Sequence, residues 1–126
     1  KLQNYHWNIK GEDFFVIHEK LEELYNAINE QIDEIAEHIL IIDGEPYGRM
    51  QDYLDTAQIQ EASNEKICSS KIFAAILKDY NILIENATKI KEDADNLKKY
   101  NTSALMDEYL QDYKKKVWMI RQMLMK

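Results

Sequence analysis

The longest stretch of helical periodicity in the sequence runs from about Phe14 to Ile42. Apolar side chains recur in it at spacings of three and four residues, and they are Ile17, Leu21, Leu24, Ile28, Ile32, Ile35 and Ile39. This spacing aligns them along one stripe of an α-helix. Because a helix with one apolar stripe must bury that stripe against other elements, the pattern predicts a fold in which long helices pack together.

Helical patterns also cover most of the remaining chain, which holds only three Gly and one Pro. The other predicted helices span residues 1–10, Arg49 to Thr56, about Glu65 to Lys91, and Thr102 or Ser103 to about Leu124. Gly11 is the expected C′ residue of the first helix and Asp13 the N-cap of the second. Ser63 or Asn64 is the expected N-cap of the third long helix.

These elements predict an all-α fold, a four-helix bundle with a short extra helix in the connection between the second and third helices. A chain of 126 residues has the length of one domain, so we predict a single domain over residues 1–126.

The charge balance narrows the possible partners. The chain carries 23 acidic and 16 basic side chains, a net charge of −7, and its longest basic run covers residues 114–116. Binding to nucleic acid depends on basic side chains that neutralise phosphates, so this composition disfavours it.

The sequence has no apolar stretch long enough for a membrane span and no recognisable leader peptide. The single cysteine, Cys68, agrees with a reducing compartment, and we predict a cytoplasmic protein.

Two histidines flank a predicted break between helices. His6 and His18 are twelve residues apart, and residues 10–13 lie between them. If the chain reverses at this break, the two imidazoles face each other. Farther along the second helix, His18 shares a largely polar stripe with other residues. The other members of this stripe are Glu22, Tyr25, Asn29, Asp33, Ala36 and Glu37. Imidazole and carboxylate groups are suitable ligands for iron or zinc, although each acid alone is more typical of a solvated surface.

Distance prevents one chain from completing such a site. His18 and Asp33 are fifteen residues apart, which is about 22 Å along a helix. Ligands must approach a metal ion to about 2.0–2.6 Å. An antiparallel, two-fold pairing of second helices would bring the donors together. They are His6, His18 and Glu22 of one copy, and Asp33 and Glu37 of the other. The Glu-x-x-His pattern of intrachain di-iron centres does not occur in the sequence, so that type of centre is disfavoured.

Taken together, these motifs resemble the Dps mini-ferritins, DNA-binding proteins from starved cells. The matching residues are His6, Trp7, Gly11, Phe14, His18, Glu22, Asp33, Ala36, Glu37, Ile39, the Gly44-x-Pro46 turn and the Trp118–Met119 pair. The resemblance covers nearly the whole chain. It implies a ferritin-like four-helix subunit that assembles through two-fold dimers into a hollow dodecamer. Because the first helix of the family is normally longer, we expect this one to be truncated at its N-terminus.

The resemblance also implies an activity. The family binds Fe(II) between two-fold-related subunits, oxidises it, preferably with hydrogen peroxide, and stores ferric mineral, which protects against oxidative stress. Carried over to this sequence, His6 and His18 would be catalytic iron ligands from one subunit. Asp33 and Glu37 would come from the other, and Glu22 would assist a second iron. Iron is the expected metal, and zinc is the expected substitute.

Two alternatives remain open. A cage that compacts DNA would need a basic tail or patch, which the net charge of −7 opposes. A purely structural helical oligomer would hold zinc or no metal at its two-fold interface. Rapid oxidation of Fe(II) after addition of peroxide would distinguish a ferroxidase from the structural oligomer.

Overall fold

The computed structural model describes residues 1–126 and is all-helical. Its five helices are α1 (Leu2–Asn8), α2 (Phe14–Ile41), α3 (Met50–Thr56), α4 (Ser69–Asn96) and α5 (Tyr100–Leu124). The only strand-like feature is an isolated parallel bridge between Ile9 and Ile67. The predicted all-α class, with a short helix after the second helix, is confirmed.

The chain divides into two compact units, Lys1–Ser69 and Ser70–Lys126. The first contains α1, α2 and α3, and the second contains nearly all of α4 together with α5. No helix is both long enough and apolar enough to cross a membrane. The single domain over residues 1–126 and the truncated first helix stay predictions.

Burial along α2 departs from the predicted core stripe. Ile17, Leu21 and Leu24 are buried, as the periodicity predicts. Ile32 and Ile35, farther along the same stripe, are 59% and 37% exposed. The prediction that these two isoleucines lie in the core of the chain is therefore wrong. A helical stripe shows which residues share a face, but its burial depends on what covers that face.

α2 ends in a turn at the Gly44-x-Pro46 segment, as the sequence predicts. Asp43 has a φ of 65°, in the left-handed region, directly after the C-cap residue Ile42. The Gly44 N–H donates to the Ile39 carbonyl (2.8 Å) and the Asp43 N–H donates to the Leu40 carbonyl (3.1 Å). This pair of bonds is a Schellman motif. A side chain at Gly44 would begin only 2.9 Å from Ile39 Cγ2, so the turn requires glycine there.

The bounds of α4 and α5 correct the sequence prediction. α4 begins at Ser69 rather than near Glu65, because Ile67 is bonded to the backbone around Ile9 instead of to a helix. Ser63 and Asn64 therefore do not cap it. α4 continues to Asn96 and α5 begins at Tyr100, so the polar stretch between the two predicted helices is mostly helical. Its inward-facing Ala94 is buried, which shows that polar neighbours do not end a helix whose packed face continues.

The second unit contains a polar and an aromatic contact between its two helices. Lys91 Nζ donates to Ser103 Oγ (2.7 Å) and to Asp107 Oδ2 (3.1 Å). The rings of Tyr80 and Tyr113 lie 5.8 Å apart between centroids, and both residues are buried. These contacts join α4 to α5 at two levels along their length.

Candidate metal centre

α1 and α2 meet at a corner formed by the residues between Asn8 and Phe14. Ile9 is the C-cap of α1, with φ −54° and ψ 137°, and Gly11 follows with a φ of +129°. Residues with side chains rarely adopt that φ, so glycine allows the reversal. The predicted reversal is confirmed, and the two helices contact each other. The prediction of Gly11 as the C′ residue is wrong, because it lies farther on, inside the corner.

The corner brings His6 and His18 into direct contact. Their rings stack with centroids 3.6 Å apart and an angle of 13° between planes. His6 Nδ1 lies 2.6 Å from the carbonyl oxygen of His18, and His18 Nδ1 lies 2.7 Å from the carbonyl oxygen of His6. The predicted face-to-face arrangement of the imidazoles is therefore observed, and each ring is bonded to the backbone of the other histidine.

This reciprocal bonding determines which ring nitrogens can bind a metal. A carbonyl oxygen only accepts hydrogen bonds, so both Nδ1 atoms must donate. In the neutral imidazole the proton then sits on Nδ1, and Nε2 keeps its lone pair. Metal-binding histidines are commonly oriented in this way, with the second ring nitrogen bonded to a carbonyl or carboxylate. Nε2 is therefore the ring nitrogen of both histidines that is available to a metal ion.

We expect nitrogen-15 NMR of the isotope-labelled protein, at neutral pH and without metal, to find His6 and His18 in the Nδ1–H form. The two carbonyl acceptors stabilise this tautomer over the Nε2–H form, in which each Nδ1 lone pair would face a carbonyl oxygen. Long-range proton–nitrogen correlations distinguish the two forms. An equal mixture of tautomers at either ring would contradict this assignment.

Stacking also limits how many ligands one ion can receive from this pair. A ring nitrogen binds a metal along its lone pair, which lies in the plane of the ring. Two nearly parallel rings at 3.6 Å direct their lone pairs along separate planes, so both cannot point at one ion. The pair therefore offers separate ligand positions that suit two neighbouring ions, or one ion and one bound oxygen species.

Two aromatic residues enclose the histidine pair. Phe14 stacks on the outer side of His18, with centroids 4.9 Å apart, and Tyr25 approaches His6 edge-on at 5.4 Å. His6 is buried and His18 is half-buried. The sequence places Tyr25 on the stripe of His18 and includes Phe14 among the family motif residues, but it does not predict that either encloses the imidazoles. Helical spacing was the available signal, since Phe14 and Tyr25 lie four and seven residues from His18 along α2.

Tyr25 also connects the imidazoles with Glu22. Its hydroxyl donates to Glu22 Oε1 at 3.3 Å. Loss of hydration raises the pKa of the Tyr25 hydroxyl, and the charge of Glu22 and this hydrogen bond raise it further. The hydroxyl therefore remains protonated and keeps one carboxylate oxygen of Glu22 oriented. Glu22 is exposed, so its other carboxylate oxygen is accessible to a ligand.

The structure does not bring the second acidic pair to the imidazoles. Asp33 and Glu37 are exposed on α2, fifteen and nineteen residues beyond His18. At roughly 1.5 Å per residue of helix, Asp33 lies about 22 Å from His18 along the axis. No three His, Cys, Asp or Glu side chains of the chain cluster closely enough to hold a metal ion. One copy therefore keeps the predicted donors in two separate groups, one at the α1–α2 corner and one farther along α2.

Comparisons with known proteins identify the family of the chain. The profile of the ferritin-like domain matches residues 1–126. A Bacillus anthracis protein named DNA protection during starvation protein 2 is 41% identical over 124 residues, which cover 98% of this chain and 84% of that protein. The crystal structure of a Helicobacter cinaedi protein called CAIP superposes with a TM-score of 0.97 at 32% identity, covering 99% of this chain and 87% of that one.

A third comparison is with a solved Dps structure whose superfamily is stated. A Dps protein from Vibrio cholerae O1 superposes with a TM-score of 0.95 at 35% identity, over 98% of this chain and 77% of that one. It is described as a member of the broad superfamily of ferritin-like diiron-carboxylate proteins. The chain belongs to the Dps branch of the ferritin-like family. The predicted ferritin-like fold is confirmed.

Proposed function

We propose that the chain is the subunit of a ferroxidase and iron-storage cage. Its metal sites would form between two copies related by a two-fold axis, and twelve copies would enclose the mineral. The observation that carries the proposal is the reciprocal His6–His18 pair, which leaves two Nε2 lone pairs free on a chain that offers no complete ligand set. A metal ion bound by one of these nitrogens would need further ligands from outside the chain.

The exposed half of α2 supports a second copy as the source of those donors. Asp33 and Glu37 lie there beside Ile32 and Ile35, which are unusually exposed for isoleucines on a core stripe. An antiparallel α2 of a second copy would cover these isoleucines and carry Asp33 and Glu37 to the imidazoles. Because a two-fold interface is self-complementary, the same pairing would complete both sites at once.

The ligand set suits the oxidation of ferrous ions as substrates. Imidazole nitrogens and carboxylate oxygens bind Fe(II), and the absence of a thiolate removes any preference for softer ions. Carboxylates stabilise Fe(III) more than Fe(II), because the higher charge gains more from negative oxygen ligands. His6 and His18 would each offer Nε2 at a separate position of the iron site. Asp33 and Glu37 of the second copy would supply carboxylate oxygens, and Glu22 would supply an additional oxygen for a second ion. Zn(II) binds similar ligands without changing oxidation state, so it would compete with iron and block the reaction.

Hydrogen peroxide is the oxidant that best matches paired ions. It takes up two electrons on reduction to water, and each ferrous ion supplies one. Two neighbouring ions therefore reduce peroxide completely without releasing a hydroxyl radical. This chemistry would remove both reactants of radical formation, which agrees with a role in protection against oxidative stress. The predicted cytoplasmic location stays a prediction.

The decisive experiment mixes the assembled protein with Fe(II) under anaerobic conditions and then adds hydrogen peroxide in a stopped-flow spectrophotometer. We expect a fast rise in near-ultraviolet absorbance, about two ferrous ions consumed per peroxide from the electron count, and inhibition by prior Zn(II). Analytical ultracentrifugation of the same sample measures the number of subunits. If the protein oxidises Fe(II) no faster than buffer alone does, the proposed function is wrong.

DNA shielding is a second candidate function, because relatives are named for DNA protection during starvation. The net charge of −7 opposes phosphate binding by this chain. We expect no shift of duplex DNA in a gel at moderate salt when the protein is present. A shift that weakens steeply as salt increases would instead show phosphate contacts and favour this second function.

A further inference from the structure

A segment after α3 lies along the corner that carries the two histidines. This segment, residues 62–69, is called the strap below. Its backbone is bonded to the corner on both sides of Ile9: the Ile67 N–H donates to the Asn8 carbonyl (3.1 Å) and the Lys10 N–H donates to the Ile67 carbonyl (2.9 Å). These two bonds form the isolated parallel bridge, and they hold the strap against the end of α1.

Side chains extend this contact along the whole corner. Asn4 Nδ2 donates to Asn64 Oδ1 (3.1 Å), and Lys66 Nζ donates to the Trp7 carbonyl (3.3 Å). At the other end, Ser69 Oγ donates to Asp13 Oδ2 at 2.6 Å. Asp13 occupies the N-cap position of α2, but its carboxylate makes no capping bond to the helix. It binds Ser69 instead, so the strap is bonded both to α1 and to the start of α2.

The histidine pair depends on a fixed relation between these two helices. Each imidazole donates to a backbone carbonyl on the other helix, so a small shift of α1 against α2 breaks both hydrogen bonds. His6 lies two residues before the end of α1, so the position of its imidazole depends on how that end is held against α2. The corner itself contains Gly11, the residue type with the most backbone freedom.

We propose that the strap positions the imidazole pair and that Ser69 is its principal positioning residue. This inference rests on the proposed function, since it assigns the strap to the same metal site. The hydroxyl of Ser69 fixes the start of α2 through a short, charge-assisted hydrogen bond, while Ile67 fixes the end of α1. Together they keep His6 and His18 stacked, with both Nε2 lone pairs free before any metal arrives.

The test uses the full assembled chain and Co(II), which binds imidazole and carboxylate ligands and reports their number through its visible absorption bands. We expect Ser69→Ala to weaken Co(II) binding about 10-fold, the size of effect found when a group that orients a metal ligand is removed. Ser69→Thr keeps a hydroxyl and should restore the wild-type affinity. Ser63→Ala is the matched control, because Ser63 is an exposed serine of the same strap for which no hydrogen bond is found.

A second variant and a second readout separate positioning from general stability. Asp13→Asn keeps an oxygen acceptor but removes the charge, so we expect a smaller loss of Co(II) affinity than in Ser69→Ala. In metal-free Ser69→Ala, nitrogen-15 NMR should show a larger share of the Nε2–H tautomer at His6 and His18, which a uniform loss of stability would not produce. If Ser69→Ala lowers only the melting temperature and leaves Co(II) affinity and tautomers unchanged, the positioning role is wrong. If Ser69→Ala does not assemble, the Co(II) affinity and histidine tautomers of Asp13→Asn test the positioning role instead.

The outcomes also distinguish this inference from the proposed function. If His6→Ala leaves the Co(II) bands unchanged, His6 does not bind the metal. The proposed metal site and the ferroxidase would then both be contradicted. If His6→Ala changes the Co(II) bands but Ser69→Ala does not, only the positioning role of Ser69 is contradicted.

Discussion

Two defective variants should restore each other's ferroxidase activity when they assemble together. One carries His6→Ala and His18→Ala, and the other carries Asp33→Ala and Glu37→Ala. Each variant alone should oxidise Fe(II) with peroxide on the order of 100-fold more slowly than the wild type, because every site lacks half of its ligands. Random co-assembly of equal amounts should recover about one quarter of the wild-type rate.

The expected fraction follows from the symmetry of the interface. A site is complete only when its histidines come from the acid-deficient copy and its acids from the histidine-deficient copy. Half of the random pairs contain one copy of each variant, and each such pair has one complete site and one empty site. A complete site within a single subunit would never be restored by mixing, so recovery directly tests whether the two halves come from different copies.

The controls for this experiment come from the same helix and the same samples. Glu30→Ala removes an exposed acid of α2 that lies outside the proposed ligand set, and it should keep the wild-type rate. Mixing the two variants after separate assembly, without dissociation, should give no recovery. An acid-deficient variant that oxidises iron normally, or a co-assembled sample without activity but with normal subunit number, would contradict the shared site.

Replacement of Gly11 by alanine should damage stability and metal chemistry together. The φ of +129° at Gly11 is strained for any residue with a side chain, and the added Cβ would lie 3.3 Å from Asp13 Oδ1. A residue forced into such a conformation costs about 1–3 kcal/mol. A shift of the corner that relieves this strain would move His6 away from His18. We therefore expect a lower melting temperature and slower peroxide-driven oxidation of Fe(II).

Gly48→Ala is the matched control for this change. No heavy atom lies within 4 Å of a Cβ built at Gly48, and its φ lies outside the strained region. The same glycine-to-alanine exchange should therefore change stability by no more than about 0.5 kcal/mol and leave iron oxidation unaltered. Equal melting temperatures for Gly11→Ala and Gly48→Ala would show that the corner tolerates a side chain and that its strain has been overestimated.

Several features of the site were predictable because they depend on local periodicity. The spacing between His6 and His18, with a break between them, predicted that the imidazoles would face each other, and they stack. The distance between His18 and Asp33 predicted that one copy cannot complete the ligand set, and the chain contains no complete cluster. Both conclusions need only the rise of a helix and the position of a turn.

Other features were not predictable, because they depend on contacts between residues far apart in the chain. The pattern around Glu65 looked helical, but Ile67 is bonded to the backbone beside Ile9 and delays the helix until Ser69. Asp13 has the sequence position of a capping residue, yet its carboxylate binds Ser69, fifty-six residues away. Local propensity is weaker than such tertiary bonds and therefore misplaces these boundaries.

The amino-acid sequence by itself determined that the chain is helical, that it reverses near Gly11, and that its candidate iron donors fall into two groups too far apart to share one ion. These properties follow from side-chain spacing, since a helix has a fixed turn and rise per residue. Only the tertiary structure decided that each imidazole is bonded through Nδ1 to the other's carbonyl, and that the strap holds the corner. It also decided that Ile32 and Ile35 remain exposed. Hydrogen-bond direction and burial depend on which distant groups come together in space, and spacing along the chain does not contain that information.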